Sequence, residues 1–143
     1  SIFVAGFIGS PAMNFLDVVL TKEGETYYVD AKTFKVAIPA EKAASIKNIG
    51  NYVGKQVILG IRPEDIEDAA IVGEDPKFSV IEADVDVTEP MGAEVYVYFS
   101  TGDNTFIARL DATTTAKDGS KLKVGLNMGK IHLFDKDTEE VIR

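Results

Sequence analysis

The 143-residue chain contains no cysteine and a single histidine, His132. Without cysteine there is no disulfide framework, no cysteine-ligated zinc site and no cysteine nucleophile. One histidine leaves no His–His pair, so a metal role for His132 would need carboxylates brought from elsewhere. Its setting, Lys130-Ile131-His132-Leu133-Phe134, reads instead as a structural residue in an alternating strand. Positive charge is scarce as well: 15 Lys and Arg stand against 23 Asp and Glu, a net charge of −8. Such a chain is repelled by phosphate backbones unless its cations cluster, so nucleic acid is not an expected partner. Long hydrophobic runs are lacking. Ile2 to Ile8, apolar apart from Gly6, falls well short of the roughly 20 residues that cross a bilayer, and no charged segment precedes it as in a signal peptide. It reads as a short buried helix or strand, stopped at Gly9-Ser10-Pro11 because proline disfavours helix in the residue before it. The chain begins with Ser1 and runs directly into this apolar stretch, which suggests a piece of something longer.

What is present is globular and β-rich. Apolar residues make up 45% and charged residues 27%, and a chain of this size buries roughly 68–70% of its unfolded surface, enough for a core without staples. Short runs of β-formers recur between turn residues. Phe15 to Thr21 ends at Lys22-Glu23-Gly24; Thr26 to Val29 and Thr33 to Ile38 flank Asp30-Ala31-Lys32 as a hairpin; Gln56 to Ile61 closes at Arg62-Pro63. Ile81, Ala83, Val85 and Val87 alternate with Glu82, Asp84, Asp86 and Thr88, predicting a half-buried strand with one acidic face. Val95, Val97 and Phe99 alternate likewise, and Thr101-Gly102-Asp103-Asn104 turns into a return strand through Phe106, Ala108 and Leu110. Leu122 to Leu126 and Lys130 to Phe134 complete eight to ten strands. One interior helix is predicted over Glu41 to Ile49, stopped by Gly50. No linker divides the chain, so residues 1–143 read as one mainly β domain of the barrel or sandwich kind.

Candidate chemistry is thin. Glu82, Asp84, Asp86 and Glu89 form an extended run without the internal glycine of a calcium loop, and neighbours on an open strand face cannot straddle a glycosidic bond. They read as a solvated face that discourages edge pairing. Gly50-Asn51-Tyr52-Val53-Gly54-Lys55-Gln56 has three residues between its glycines and glutamine after the lysine, whereas a phosphate loop needs four and then Ser or Thr. No motif in the chain binds a nucleotide. Tyr27, Tyr28, Tyr96 and Tyr98 could stack sugars, with Arg62 or Arg109 offering a contact to a small anion, and a sugar- or small-anion-binding sensor is the alternative reading.

Three blocks carry a resemblance: Phe3-Val4-Ala5-Gly6-Phe7-Ile8-Gly9-Ser10-Pro11-Ala12-Met13-Asn14-Phe15-Leu16, then Leu59-Gly60-Ile61-Arg62-Pro63-Glu64-Asp65, then His132-Leu133-Phe134-Asp135. In this order they resemble the C-terminal, TOBE-like region of ATP-binding subunits of carbohydrate ABC importers of the maltose and multiple-sugar type. The resemblance runs from Phe3 to the end. It implies an OB-like β-barrel with additional strands and a leading short helix, residues 1–11 being the tail of a connection to an absent ATPase domain. Gly6, Gly9, Pro11, Asn14, Arg62, Pro63 and Glu64 are the motif residues. Asn14 would satisfy exposed backbone groups at the junction, and Gly60 would allow a close backbone approach or a bend.

It further implies a regulatory and dimerisation role, non-catalytic in itself. ATP and magnesium would be bound by the absent domain, with no cofactor in this part. The partners implied are a second copy of the subunit, the importer's membrane subunits through the absent domain, and a regulator of the sugar phosphotransferase system. Phe15, Gly54 and Gly60 match positions implied in partner docking. The location implied is cytoplasmic, against the inner face of the membrane. Relatives often carry a glycine in the turn after the Phe-Asp pair, where this chain has Asp137-Thr138-Glu139-Glu140, so a looser final hairpin is expected.

Overall fold

The computed structural model describes residues 11–143; the leading helix, Gly6 and Gly9 lie outside them. Alternation of apolar and polar residues sets the first strand, β1 (Asn14–Glu23), which buries Asn14, Leu16, Val18 and Leu20 on one face. It turns back at Gly24, φ 60°, into β2 (Thr26–Asp30), and β3 (Lys35–Ile38) returns beside that strand. The turn between β2 and β3 sets Lys32 at φ 72°, where its N–H donates to Asp30 Oδ1 at 2.9 Å.

The interior helix is shorter than expected. α1 spans only Ala40–Ser45, and a 3₁₀ turn follows at Ile49–Tyr52. Ala43, Ile46 and Ile49 are the buried residues, a spacing of three rather than 3.6. Backbone bonds from Ile46 N–H to the Ala43 carbonyl and from Ile49 N–H to the Ile46 carbonyl wind the chain to match, as 3₁₀ geometry requires.

β4 (Gln56–Ile61) buries every residue after Gln56. A 3₁₀ turn at Pro63–Asp65 leads to β5 (Ile66–Asp68) and α2 (Ala69–Val72), two short elements without a sequence signal. Asp68 caps α2 through the Ala70 N–H at 2.9 Å and accepts from the Thr114 hydroxyl at 2.6 Å, tying down the loop around Thr114. Then come β6 (Phe78–Met91), β7 (Glu94–Thr101), β8 (Asn104–Asp111), β9 (Lys121–Asn127) and β10 (His132–Asp135).

The strands make two five-stranded antiparallel sheets, β10-β4-β1-β2-β3 and β5-β9-β6-β7-β8. Together they wrap one continuous core, from Leu16, Leu20 and Leu59 across to Phe99, Leu110 and Leu126, with Phe99 stacked on Phe106 at 4.9 Å. The mainly β, OB-like architecture agrees with expectation, but the barrel is two curled sheets. Where they meet, side chains bridge them. Asn14 on β1 donates its Nδ2 to the Ile107 carbonyl and accepts the Ile107 N–H, both at 2.8 Å. From β8, Asn104 accepts the Asp17 N–H at 2.9 Å and donates to the Asp17 carbonyl at 3.2 Å. Each carboxamide reproduces the donor–acceptor pair of a backbone peptide, so β1 and β8 are joined without being strand partners.

Two side-chain placements differ from the sequence pattern. Val87 was expected inside but is 51% exposed. The β6–β7 register passes from Val85↔Phe99 to Val87↔Tyr98, a bulge that adds one residue and flips the strand's later side chains to the other face. The acidic residues also do not guard an edge, because β6 lies between β9 and β7. Glu82 and Asp84 pair in register with Lys123 and Lys121, and Lys121 reaches Asp84 at 2.8 Å.

The final hairpin is complete. Asp135 and Glu140 are joined by a backbone bond of 2.9 Å, Phe134 bridges Val141, and Glu139 itself takes the left-handed conformation, φ 63°, that glycine adopts readily. Ile142 is buried behind it, so packing holds a turn whose local sequence does not favour it.

Candidate functional site

The sequence-predicted partner positions separate along β4. Gly54 precedes the strand and Gly60 lies near its far end, six residues away, or roughly 20 Å at strand rise. Phe15 pairs directly with Gly60 across β1, and His132 pairs with Gly60 from β10. Phe15 and Gly60 are therefore brought together, and Gly54 is not.

At the Gly60 end, a Cβ on Gly60 would meet Met13 Sδ at 2.6 Å and Phe134 Cε2 at 2.8 Å. The close approach foreseen for this glycine exists, but side chains make it rather than backbone. Phe134 packs edge-on against Phe15, centroids 5.6 Å apart. Around this apolar centre lie His132, Arg62, Lys42 and the buried Asp65. Burial pushes the His132 imidazole below its ordinary value; Lys42 and Arg62 add to this, and Asp65 opposes it. Burial also pushes the Asp65 carboxyl up, opposed by Lys130 with its Nζ at 4.0 Å. Arg62 is exposed in an extended conformation, Pro63 opens the 3₁₀ turn as proline prefers, and Glu64 is exposed within it. Pro11 and Asn14 stand beside this centre, together lining a groove with Phe15 and Ile107.

At the Gly54 end the chemistry is polar. Gly54 sits at φ 83° with open space where a Cβ would stand, and its N–H donates to the Leu20 carbonyl at 2.7 Å. The turn brings Tyr52 across to β10, where its hydroxyl donates to Asp135 Oδ2 at 2.7 Å. Asp135 Oδ1 accepts the N–H groups of Asp137 and Thr138 at 2.8 and 2.9 Å. The Thr138 N–H and the Tyr52 hydroxyl are the leading causes that hold the Asp135 carboxyl below the usual carboxylate range, and the same bond raises the Tyr52 phenol. Beside them opens a hollow of about 620 Å³, with Asn48, Asn51, Tyr52, Lys55 and Gln56 in its wall.

The other sequence candidates fall apart in space. Gly54-Lys55-Gln56 runs into a strand, whereas a phosphate loop opens a helix. Tyr27 and Tyr28 belong to one sheet and Tyr96 and Tyr98 to the other; Lys22 and Lys35 lie over Tyr27 and Tyr28, each at 4.9 Å. Arg109 faces Glu94 at 3.2 Å. Among the described residues, no group of three or more His, Asp or Glu is placed to hold a metal ion. Sequence reasoning missed Asn104, read only as a turn residue, and Tyr52. The Tyr52–Asp135 contact joins positions 83 apart, for which the local pattern holds no signal.

Two curled antiparallel sheets with a polar hollow and an apolar cluster at opposite ends of one strand make up the domain. The sequence places it. The TOBE domain family matches residues 59–134, more than half of the chain, and the chain belongs to that family; the MalK OB fold domain matches residues 9–66. Over 143 residues, all of this chain and 38% of the relative, it is 43% identical to the oligosaccharides import ATP-binding protein MsmX of Bacillus subtilis. It is 41% identical to the multiple sugar-binding transport ATP-binding protein MsmK of Streptococcus mutans, covering 99% of this chain and 36% of that one. The trehalose/maltose import ATP-binding protein MalK of Thermococcus litoralis is 38% identical, covering 98% of this chain and 37% of that one. The chain thus spans well under half the length of these relatives. Among solved structures, the cytoplasmic molybdate-binding protein ModG matches with a TM-score of 0.56 over 88% of this chain and 96% of that one. At 12% identity this likeness concerns the fold.

Proposed function

We propose that the chain is the regulatory and dimerisation domain of the ATP-binding subunit of a sugar ABC importer, without catalytic activity of its own. The observation that carries this reading is the whole-chain similarity to MsmX, whose matched segment is only 38% of its length. Importers of this kind divide the work: ATP and magnesium bind in the ATPase portion, which also docks the membrane subunits. The domain joins two copies of the subunit on the cytoplasmic side of the membrane. The asparagine-bridged sheets suit that role, because a module linking two moving ATPase portions has to keep its own shape. No helix among the described residues is long and apolar enough to cross a membrane. The phosphotransferase-system regulator rests on the resemblance alone.

A chimera tests the proposal. The chain replaces the matching segment of MsmX, and oligosaccharide uptake and subunit mass by light scattering are measured. Restored uptake with a dimeric subunit is the expected result; a chimera that is stable and monomeric, with no uptake, overturns it.

A further inference from the structure

We propose that the hollow at the Gly54 end of β4 binds a neutral polyhydroxylated ligand, a short oligosaccharide. This does not depend on the dimerisation reading. It moves the sugar-binding alternative away from Tyr27, Tyr28, Tyr96 and Tyr98 to a site built around Tyr52.

The chemistry of the wall selects the ligand class. Its cations, Lys55 and Lys136, are matched by Asp135 and Asp137. Lys136 also lies 3.6 Å from Asp17, and Asp135 already accepts three hydrogen bonds. Charge is balanced within the wall, so neither an anion nor a cation is selected. Three carboxamides remain, Asn48, Asn51 and Gln56, whose side chains make no hydrogen bond to another described residue. Each offers a donor and an acceptor side by side, as each hydroxyl of a vicinal diol does, and three such groups around one hollow match a sugar edge.

Tyr52 supplies the apolar element. Its hydroxyl is fixed by Asp135 and Lys55 Nζ lies over the ring 5.7 Å from its centroid, so the half-buried ring is oriented before any ligand arrives, and a pyranose C–H face can stack on it where the lysine does not cover it. The ring also stands between two cavities. A second hollow of about 450 Å³, reaching to Glu140 and Arg143, shares Asn48 and Tyr52 with the first. A groove with its aromatic residue at the join accommodates more than one sugar ring, hence an oligosaccharide rather than a single hexose. The wall comes from three elements, the 3₁₀ turn at Ile49–Tyr52, the start of β4 and the end of β10, so its shape is set by the fold.

The test is a titration of the ¹⁵N-labelled chain with maltotriose and with raffinose, and with sodium sulfate as the anionic comparison. Saturable shifts confined to Asn48, Asn51, Tyr52 and Gln56 are expected for at least one sugar, with a Kd on the order of 1 mM. The paired substitution Asn51→Ala with Gln56→Ala weakens binding about fivefold or more, the loss of one net hydrogen bond or more, at an unchanged melting temperature. Tyr52→Phe keeps the ring and retains binding better than Tyr52→Ala. If the paired variant melts early, Asn51→Ala alone supplies the comparison. Flat titrations with both sugars overturn the proposal, as do shifts scattered over other surfaces, equal shifts with sulfate, or undiminished binding by the folded paired variant. The chimera above tests assembly and the titration tests this site, so either can fail without the other.

Discussion

The two ends of β4 solve opposite problems with the same residue type. At Gly60 the backbone is ordinary and the space is full: Met13 and Phe134 occupy the place of a Cβ. At Gly54 the space is empty and the backbone is the constraint, φ 83°. The first glycine serves packing and the second serves a turn. Around the first, aromatic rings and cations meet a buried acid; around the second, carboxamides and a tyrosine border an open hollow. A strand of six residues thus separates an apolar surface from a polar one, and each can be altered without the other.

The largest effect is expected from Asn14→Ala, beside the Gly60 end. It leaves the Ile107 N–H and carbonyl without their partner at the seam between sheets, at about 2–3 kcal/mol, read as a fall in the urea midpoint. The contrast between the glycines comes next. Gly60→Ala is expected to cost about 1–2 kcal/mol through overpacking, because Phe134 is held against Phe15 even if Met13 swings aside. Its cost should shrink when Phe134→Leu is added. Gly54→Ala is expected to cost about 1 kcal/mol through backbone strain alone, and no neighbouring substitution should relieve it.

The smallest effect concerns pH. His132 has a folded pKa below its unfolded one, so the unfolded chain binds the proton first on acidification. Its contribution to stability is present above about pH 6.5 and is lost as pH falls below that value toward the folded pKa. Asp65 has the opposite sign: its raised pKa disfavours the folded state increasingly as pH rises through the ordinary carboxylate range. At the other end, the lowered pKa of Asp135 contributes stability above the carboxylate range that is lost as pH falls through its folded value. His132→Gln should flatten the stability profile between pH 7 and 5, measured by thermal melts, and leave the Asp135 limb below about pH 4 in place.

How much of this was legible in the sequence depended on whether the signal was local. Strand existence was legible because alternation over four to eight residues reports a half-buried strand directly, as from Ile81 to Val85. It failed at Val87, since a bulge is decided by how β6 pairs with β7 and leaves no mark in β6 alone. The interior helix was overextended because its end was read from Gly50, while the buried residues Ala43, Ile46 and Ile49 have the spacing of a 3₁₀ winding. Asn14 was singled out for backbone contacts, which it makes, but to a strand 93 positions away. Of the partner positions, nothing in the sequence said that Phe15 would face Gly60 while Gly54 stood apart.

The amino-acid order alone excluded cysteine chemistry and nucleotide-binding motifs, and through its three blocks it pointed to the family. Composition, turn residues and short-range periodicity act over a few positions, so they survive without any knowledge of the fold. The seam held by Asn14 and Asn104, the pairing of Glu82 and Asp84 with lysines of β9, the left-handed Glu139 and the groove around Tyr52 were decided by tertiary structure. Each depends on side chains dozens of residues apart arriving at one place, and only closure of the two sheets over their shared core brings them there.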